Sequence, residues 1–384
     1  MNSNLKIGIL TQPLHDNYGG ILQAYALKEV LNDLGHNVVL VNRQTPVRKT
    51  WRLVGSFIKF ELKGRKPVNK QPLTKYQKSI VSEKTLSFVE KYIPERSRPI
   101  TTNKNMKRLN KKRFDVFIVG SDQCWRPQYS PKIENYFLDF VKKNKHIKRI
   151  SYAASFGTEH WEFSKKETRE CKKLLKKFDA VSVREDSAID LINCNLSRSD
   201  VTHVLDPTML LEKSRYQAIL KEQSLKKSDG NLNIYVLDKS IEKNSFIELV
   251  ESRLGFKKFE VMPKKRIQDA IVTNTNIYDF QFPSPIEWLQ GFQDAKYVVT
   301  DSFHGTLFSI LFNIPFIAIG NEKRGMSRFE SLLKMFGFSD RFVTDVDKAD
   351  LDYLLNEEID WSFANQTLER ERAKAITFLT SNLD

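Results

Sequence analysis

The sequence of 384 residues has few cysteines, and this scarcity excludes several kinds of site. There are three, Cys124, Cys171 and Cys194, which are widely spaced and form no CxxC pair. This spacing offers no motif for a zinc site or for a redox couple. We therefore expect three ordinary thiols in a reducing compartment.

Nucleotide-binding and membrane-spanning patterns are also lacking. There is no GxxxxGK[ST], no GxGxxG after the first strand and no HExxH, which argues against a P-loop nucleotidase and a dinucleotide dehydrogenase. No apolar run approaches the length of about 20 residues that spans a bilayer, and MNSNLKIGIL has no signal-peptide core. The acidic pair Asp345 and Asp347 is a weak DxD match that we interpret as a solvated loop. These patterns predict a cytoplasmic protein.

Positive charge is abundant, and it is concentrated in one part of the chain. The net charge is +15, yet the segment from Arg43 to Arg113 has 21 lysines and arginines against four acidic residues. That segment therefore has a net charge of +17, which leaves −2 for the remainder. A localised basic region implies an anionic neighbour, which can be lipid headgroups, nucleic acid or an anionic substrate.

Short apolar strands alternate with helical segments along most of the chain, which predicts an α/β fold with parallel sheets. The alternation starts at KIGIL, breaks over a basic helical insert at about 45–113, and runs again from NLNIYVL. We predict an N-terminal Rossmann-like domain (1–205), a C-terminal one (206–362), and a last helix (363–384) packing back on the first domain. Substrate then lies in the cleft between them, at the carboxyl edges of both sheets.

The stretch YVVTDSFHGT combines a strand end, a histidine and a helix start. Ser302 and His304 precede Gly305 and Thr306, so side-chain donors and backbone N–H groups point to one place and predict an anion site. A histidine there can also transfer a proton near neutral pH. The alternative is a histidine that is hydrogen-bonded within the structure.

Two stretches in the first half place polar groups after strands. Asp122 and Ser121 follow the strand FDVFIVG, where a carboxylate can serve as base or hydroxyl ligand, or can cap a loop. The first loop brings two glycines to a helix start, which lets the backbone approach an anion or merely begins a helix. Its candidate residues are Asp16, Asn17, Tyr18, Gly19 and Gly20.

Three arginines are candidates for anion binding. Arg184 directly follows an apolar strand, where a guanidinium is costly unless it meets an anion, and its planar fork suits a carboxylate or phosphate. The alternative is an ion pair with Glu185 or Asp186. Arg324 and Arg328 lie near the start of a later helix, from which either reaches the same cleft.

Six segments in this order resemble the polysaccharide pyruvyl transferase family, over nearly the whole chain. They are HDNYGGILQAYAL, VGSDQCW, SYAASFG, VSVREDSA, LDPTMLL, and TDSFHGTLFSI followed by PFIAIG. The resemblance implies a fold similar to the GT-B glycosyltransferases. It also implies transfer of a pyruvyl group from phosphoenolpyruvate to a sugar, with a cyclic ketal formed and phosphate released. We expect this reaction to require neither a cofactor nor a metal.

The same resemblance assigns His304 and Arg184 to the donor site, with His304 as acid or phosphate ligand. Asp16 or Asp122 then serves as hydroxyl ligand or base. Many relatives place an arginine two residues before the histidine, where this chain has Ser302. Arg324 or Arg328 is expected to supply the missing charge.

The basic insert fits a saccharide acceptor that is still linked to a lipid diphosphate, in the synthesis of a bacterial surface polysaccharide. Near an anionic membrane each lysine or arginine contributes roughly 1 kcal/mol, so we expect peripheral association with the inner face of the cell membrane. The alternative for the insert is a solubilising helical surface. Two other functions stay open: a GT-B glycosyltransferase using a nucleotide sugar, and a nucleic-acid binder. Against the latter, the aromatic residues of the insert recur at helical spacing, which favours packing over base stacking, so we expect no nucleic acid.

Overall fold

The computed structural model describes residues 4–45, 73–141 and 146–384. The first half of the chain forms a six-stranded, wholly parallel sheet in the order β2-β1-β3-β4-β5-β6. Its strands are β1 (Lys6–Leu10), β2 (Asn37–Leu40), β3 (Val116–Val119), β4 (Lys148–Ala154), β5 (Ala180–Val183) and β6 (Val201–His203). The central strands β3 and β5 are buried along their whole length, because helices cover both faces of a parallel sheet.

Helices connect these strands and start at capping residues. The helix α1 (Tyr18–Asp33) begins at Asn17, whose side chain accepts a hydrogen bond from the backbone N–H of Gly20. The others in the first half are α2 (Lys75–Val81), α3 (Glu83–Tyr92), α4 (Asn103–Lys107), α5 (Lys165–Leu175) and α6 (Ser187–Leu196). In the described part of the predicted basic insert, residues 73–113, the regular elements are helices, whereas 46–72 lie outside the described residues.

The second half forms a five-stranded parallel sheet in the order β11-β10-β9-β7-β8. Its strands are β7 (Leu232–Tyr235), β8 (Lys258–Phe259), β9 (Tyr297–Thr300), β10 (Phe316–Ile319) and β11 (Phe342–Val343). Its helices are α7 (Lys213–Lys221), α8 (Ile241–Leu254), α9 (Pro285–Asp294), α10 (Phe303–Phe312), α11 (Ser327–Phe336), α12 (Leu351–Asn356) and α13 (Trp361–Leu383). The prediction of an α/β fold with two Rossmann-like domains is confirmed.

The long terminal helix α13 returns to the first sheet. The Nζ atom of Lys148 on β4 donates hydrogen bonds to the carbonyls of Asn382 and Leu383. Earlier along the helix, the guanidinium of Arg372 donates to the carbonyl of Met209. The residue boundaries of the two domains and of the last helix stay a prediction.

The sequence pattern predicts helices from Ile21 to Gly35 and from Thr306 to Asn313, and both begin three residues earlier in the structure. The structure starts α1 at Tyr18 rather than Ile21 and α10 at Phe303 rather than Thr306. In both cases a polar residue directly before the helix caps it, so the polar and glycine residues that follow already belong to the first turn. This shift decides which backbone groups stay available to a ligand. Within the described part of the chain, no helix has the length and apolar character of a membrane span.

Candidate functional site

A cleft of about 550 Å³ lies between the carboxyl edges of the two sheets. The loop after β1 and the loop after β3 form one wall, and the segments after β7, β9 and β10 form the other. Of the residues predicted for the site, eight line the cleft: Asp16, Asn17, Tyr18, Asp122, Ser302, His304, Arg324 and Arg328. The other six lie behind its surface: Gly19, Gly20, Ser121, Arg184, Gly305 and Thr306.

His304 stands in the first turn of α10 and joins the two halves of the molecule. Its ring is buried, and its Nε2 atom lies 3.7 Å from a carboxylate oxygen of Asp206. Its Nδ1 faces Gly19 of α1, where an added Cβ would lie 2.0 Å from that nitrogen. Gly19 is therefore required for close packing of the histidine, not for contact with a ligand.

Asp206 is a residue of this site that sequence reasoning missed. It follows β6, is fully buried, and accepts hydrogen bonds from Arg184 Nη1 at 2.8 Å and from the hydroxyl of Thr208 at 2.8 Å. Burial acts to raise the pKa of Asp206, but the nearby charges of His304 and Arg184 hold this pKa below its usual range. The available signal was an aspartate between a strand end and a proline in LDPTMLL.

Arg184 lies behind the surface of the cleft, so the structure does not bring its guanidinium to the predicted donor site, and its role there stays a prediction. Its guanidinium is 1% exposed and bridges Asp206 and Asp122, the latter at 3.2 Å from Nη2. The predicted alternative, an ion pair of Arg184 with Glu185 or Asp186, is wrong. Glu185 accepts hydrogen bonds from the backbone of 156–157, and Asp186 caps α6. Arg184 is an internal counter-ion for two buried carboxylates.

Asp122 connects this buried network to the cleft. One carboxylate oxygen is bound by Arg184, and the other lies 3.4 Å from the side-chain amide nitrogen of Asn17. Burial acts to raise the pKa of Asp122, yet the positive charges of Arg184, His304 and Arg328 lower this pKa overall. Asp122 is therefore an ionised acceptor at the cleft wall, and Asp16, which accepts a long bond from the Thr85 hydroxyl, lies along the same wall.

Arg328 and Arg324 differ in what neutralises them. Arg324 donates to Asp238 at 2.6 Å, so its charge is paired. Arg328 is buried and lines the cleft, donates only to the carbonyl of Arg324, and forms no ion pair with any residue in the described ranges. Its Nε atom has no hydrogen-bond partner, and burial together with the charge of Arg184 lowers its pKa to about 10.

Ser302 stands where many relatives have arginine, and it caps α10. Its hydroxyl accepts from the backbone N–H of Gly305 at 3.4 Å, and its carbonyl accepts from that of Thr306 at 2.9 Å. The expectation that Gly305 and Thr306 offer free N–H groups to an anion is therefore wrong. Gly305 is needed for packing instead, since a Cβ there would lie 2.3 Å from the Thr300 hydroxyl oxygen.

Ser121 also serves the interior. Its hydroxyl donates to the carbonyl of Ala153, and its backbone N–H donates to the side chain of Gln23.

Tyr18 reaches the second half of the chain, where its hydroxyl donates to the carbonyl of Pro283 and its ring stacks on Trp288 with centroids 5.5 Å apart. These contacts hold the two walls at a defined separation.

Solved structures similar to this one are GT-B enzymes. UDP-GlcNAc 2-epimerase from Methanocaldococcus jannaschii matches with a TM-score of 0.51 and 12% identity, over 98% of this chain and 100% of that one. The same enzyme from Neisseria meningitidis, bound to UDP-GlcNAc, gives 0.50 and 12% over 99% of both chains. Medicago truncatula UGT71G1 complexed with UDP-glucose gives 0.50 and 12% over 100% and 99%. At this identity the likeness shows the fold alone.

Sequence comparison is more specific. No curated protein matches the chain. The family model of polysaccharide pyruvyl transferase matches residues 17–323, which include Asp122, His304 and the Asp206–Arg184 network and end just before Arg324 and Arg328. Because this match covers well over half of the chain, the protein belongs to the polysaccharide pyruvyl transferase family.

Proposed function

We propose that the cleft transfers a pyruvyl group from phosphoenolpyruvate to two hydroxyls of a sugar, which become joined in a cyclic ketal. The observation that supports this most directly is Arg328, a buried cation that lines the cleft beside His304 and has no carboxylate partner among the described residues. An unpaired buried charge is costly, so such a group is typical of a site that receives an anion.

Phosphoenolpyruvate carries a carboxylate and a phosphate, and Arg328 suits either of them through charge-assisted hydrogen bonds. Arg324 stands four residues earlier, before α11 begins, and its pairing with Asp238 leaves it less free to bind the donor. Arg328 therefore supplies the charge that many relatives have at the position of Ser302. In this arrangement Arg184 acts indirectly, by fixing Asp122 and Asp206.

The reaction needs one proton delivered and two removed. His304, held against Asp206, donates a proton to the methylene carbon of the donor, which makes C2 electrophilic. A first sugar hydroxyl adds to C2 and gives up its proton to Asp122 or Asp16. The C2–O bond to phosphate then breaks, the second hydroxyl closes the ketal at C2, and its proton leaves with the phosphate. One donor and two hydroxyls thus give the ketal and one phosphate.

The acceptor side of the cleft is the first-domain wall, where the carboxylates and amides face the cavity: Gln12, Asp16, Asn17, Asp122 and Gln123. Such groups bind hydroxyls. The +17 segment supports an acceptor linked to a lipid diphosphate, in the making of a capsule or exopolysaccharide, with the protein associated peripherally with the inner face of the membrane.

Thermal shift and phosphate release test this proposal together. Phosphoenolpyruvate is expected to raise the melting temperature, whereas UDP-sugars leave it unchanged. Arg328→Met should abolish the shift, and His304→Ala should keep it while phosphate release with a panel of lipid-linked sugars falls about 100- to 10,000-fold. Arg253→Met, a change in an exposed arginine paired with Asp352, is the matched control. Stabilisation by a UDP-sugar and not by phosphoenolpyruvate would favour the glycosyltransferase alternative.

A further inference from the structure

A small apolar cluster lies apart from the main cores, where α2 packs on the second half of the chain. Ile80 and Val81 of α2 contact Ile277 and Phe280. Hydrogen bonds reinforce the contact, because the carbonyl of Val81 accepts from the N–H of Phe282 at 3.0 Å. The helix is thus anchored to the wall that follows β8.

Three exposed apolar side chains stand on the helix and the segment that form this cluster. Tyr76 (59% exposed) lies one helical turn before Ile80, Ile271 (64%) lies within the segment that packs on the cluster, and Tyr278 (65%) follows Ile277. They are three of the eight large apolar side chains that are exposed in the described chain. We call these three residues, with the lysines around them, the α2 face.

The charge of the α2 face is positive. Lys75, Lys78 and Lys264 are exposed and form no ion pair with described residues, whereas Lys265 is paired with Asp279 at 2.8 Å. Among residues 75–81 and 261–282, the acidic side chains are Asp269 and Asp279. Tyrosines and lysines around a small apolar patch are the composition that proteins present to the headgroup region of anionic membranes.

The α2 face also borders the mouth of the cleft. Phe282 packs against the cluster on one side and lines the cleft on the other. Lys78 lies close enough to His15, another cleft residue, that its charge adds to burial in lowering the pKa of His15. A surface bound to the α2 face is therefore next to the opening through which an acceptor enters.

We propose that the α2 face docks on an anionic lipid bilayer, with Tyr76, Ile271 and Tyr278 inserted at the headgroup level. This deepens the proposed function, because it places the cleft mouth where a lipid-linked sugar is presented. An anionic bilayer is the partner that this face fits, since lysines without an ion pair to described residues stand beside exposed tyrosine and isoleucine side chains.

Vesicle binding tests the proposal. The protein should sediment with vesicles of phosphatidylcholine and phosphatidylglycerol at low salt and not with phosphatidylcholine alone. Tyr76→Ser/Ile271→Ser/Tyr278→Ser should weaken binding about tenfold or more. The control Ile241→Ser/Leu249→Ser removes exposed apolar side chains from α8 (81% and 47% exposed) and should bind as the unchanged protein does. Equal binding by the triple variant, or no binding by the unchanged protein, overturns the proposal.

A second measurement fixes the orientation. In a Cys194→Ser background, a fluorophore on Tyr278→Cys should be quenched by spin-labelled lipid, and one on Leu249→Cys should not. Quenching at both sites, or self-association that the triple variant loses, contradicts docking through this face. Phosphoenolpyruvate stabilisation needs no membrane and should be unchanged in the triple variant, so a missing thermal shift in the unchanged protein would reject the proposed function separately.

Discussion

The two walls of the cleft differ in whether a buried charge has an ion-pair partner within the protein. In the first half, Asp122 and Asp206 lie on either side of Arg184, so the charge of the guanidinium is balanced within the protein, although its Nε atom has no hydrogen-bond partner. In the second half, Arg328 is equally buried but forms no ion pair with a described carboxylate, and Asp122 and Glu185 act on it only as more distant charges. The first arrangement holds the shape of the site, and the second leaves a charge for a ligand.

The pKa values follow the same division. In the first half, favourable charges outweigh burial, so the pKa values of Asp122 and Asp206 are lowered and that of Arg184 is raised. For Arg328, burial and the neighbouring charge of Arg184 lower the pKa to about 10. A bound anion beside Arg328 would favour its charged form and remove this cost.

The largest expected effect comes from removing each arginine in turn. Arg184→Met leaves Asp122 and Asp206 buried without a counter-ion, so the free energy of unfolding should fall by about 3–5 kcal/mol. Arg328→Met removes an uncompensated charge and should leave this free energy unchanged or higher, while phosphoenolpyruvate no longer stabilises the protein. Urea unfolding with and without the donor measures both quantities. Equal destabilisation by the two changes would mean that Arg328 has a structural partner after all.

As the pH falls, the first wall of the cleft should lose stability before the second. Because the pKa values of Asp122 and Asp206 are lowered in the folded protein, their contribution to stability is present above the ordinary value of 3.8 and is lost as pH falls through their folded values. The melting temperature should therefore drop as pH decreases below about 4. Asp206→Asn should flatten this part of the profile. A profile of the same slope in the variant would assign the acid sensitivity to other carboxylates.

Sequence reasoning placed the cleft correctly in outline because strand ends of parallel sheets converge. Asp16, Asn17 and Asp122 follow strands of the first sheet, and His304 follows a strand of the second, and all four line one cavity. The alternation of apolar strands and helices was enough to predict the α/β class. Where the structure agrees with the sequence, the feature depends on periodicity or on position at a strand end.

The missed features depend on partners that are distant in sequence. Arg184 follows a buried strand, as an anion-binding arginine would, but Asp122 lies 62 residues before it and Asp206 lies 22 residues after it. Nothing local distinguishes that pairing from ligand binding. Likewise, Gly19 and Gly305 resemble ligand-approach glycines, although their lack of a side chain accommodates His304 and Thr300.

A smaller effect is expected where the two halves meet backbone to backbone. A Cβ on Gly325, whose φ is +94°, would lie 1.5 Å from the carbonyl oxygen of Gly157. Gly325→Ala should therefore cost about 2 to 3 kcal/mol, push the loop of Arg324 away from the first half and weaken phosphoenolpyruvate binding. Thermal shift and small-angle scattering measure these changes.

Gly255 provides the matched control for this contact. Its φ is +61°, and nothing lies within 4 Å of an added Cβ, so Gly255→Ala tests the backbone conformation without the collision. It should cost about 1 kcal/mol and leave donor binding intact. If Gly325→Ala behaves in the same way, the contact with Gly157 does not hold the walls together.

The smallest effect concerns Ser302 and sharpens the comparison most directly. Its hydroxyl caps α10 by accepting from Gly305, so Ser302→Ala should lower the free energy of unfolding by about 1 kcal/mol. In the proposed function Arg328 supplies the positive charge that binds phosphoenolpyruvate, so the affinity for phosphoenolpyruvate should change little. Titration calorimetry on Ser302→Ala and Arg328→Met decides the point. A loss of affinity as large as that of Arg328→Met would mean that the start of α10 also binds the donor. Donor binding by the second wall would then depend on two groups, the start of α10 and Arg328.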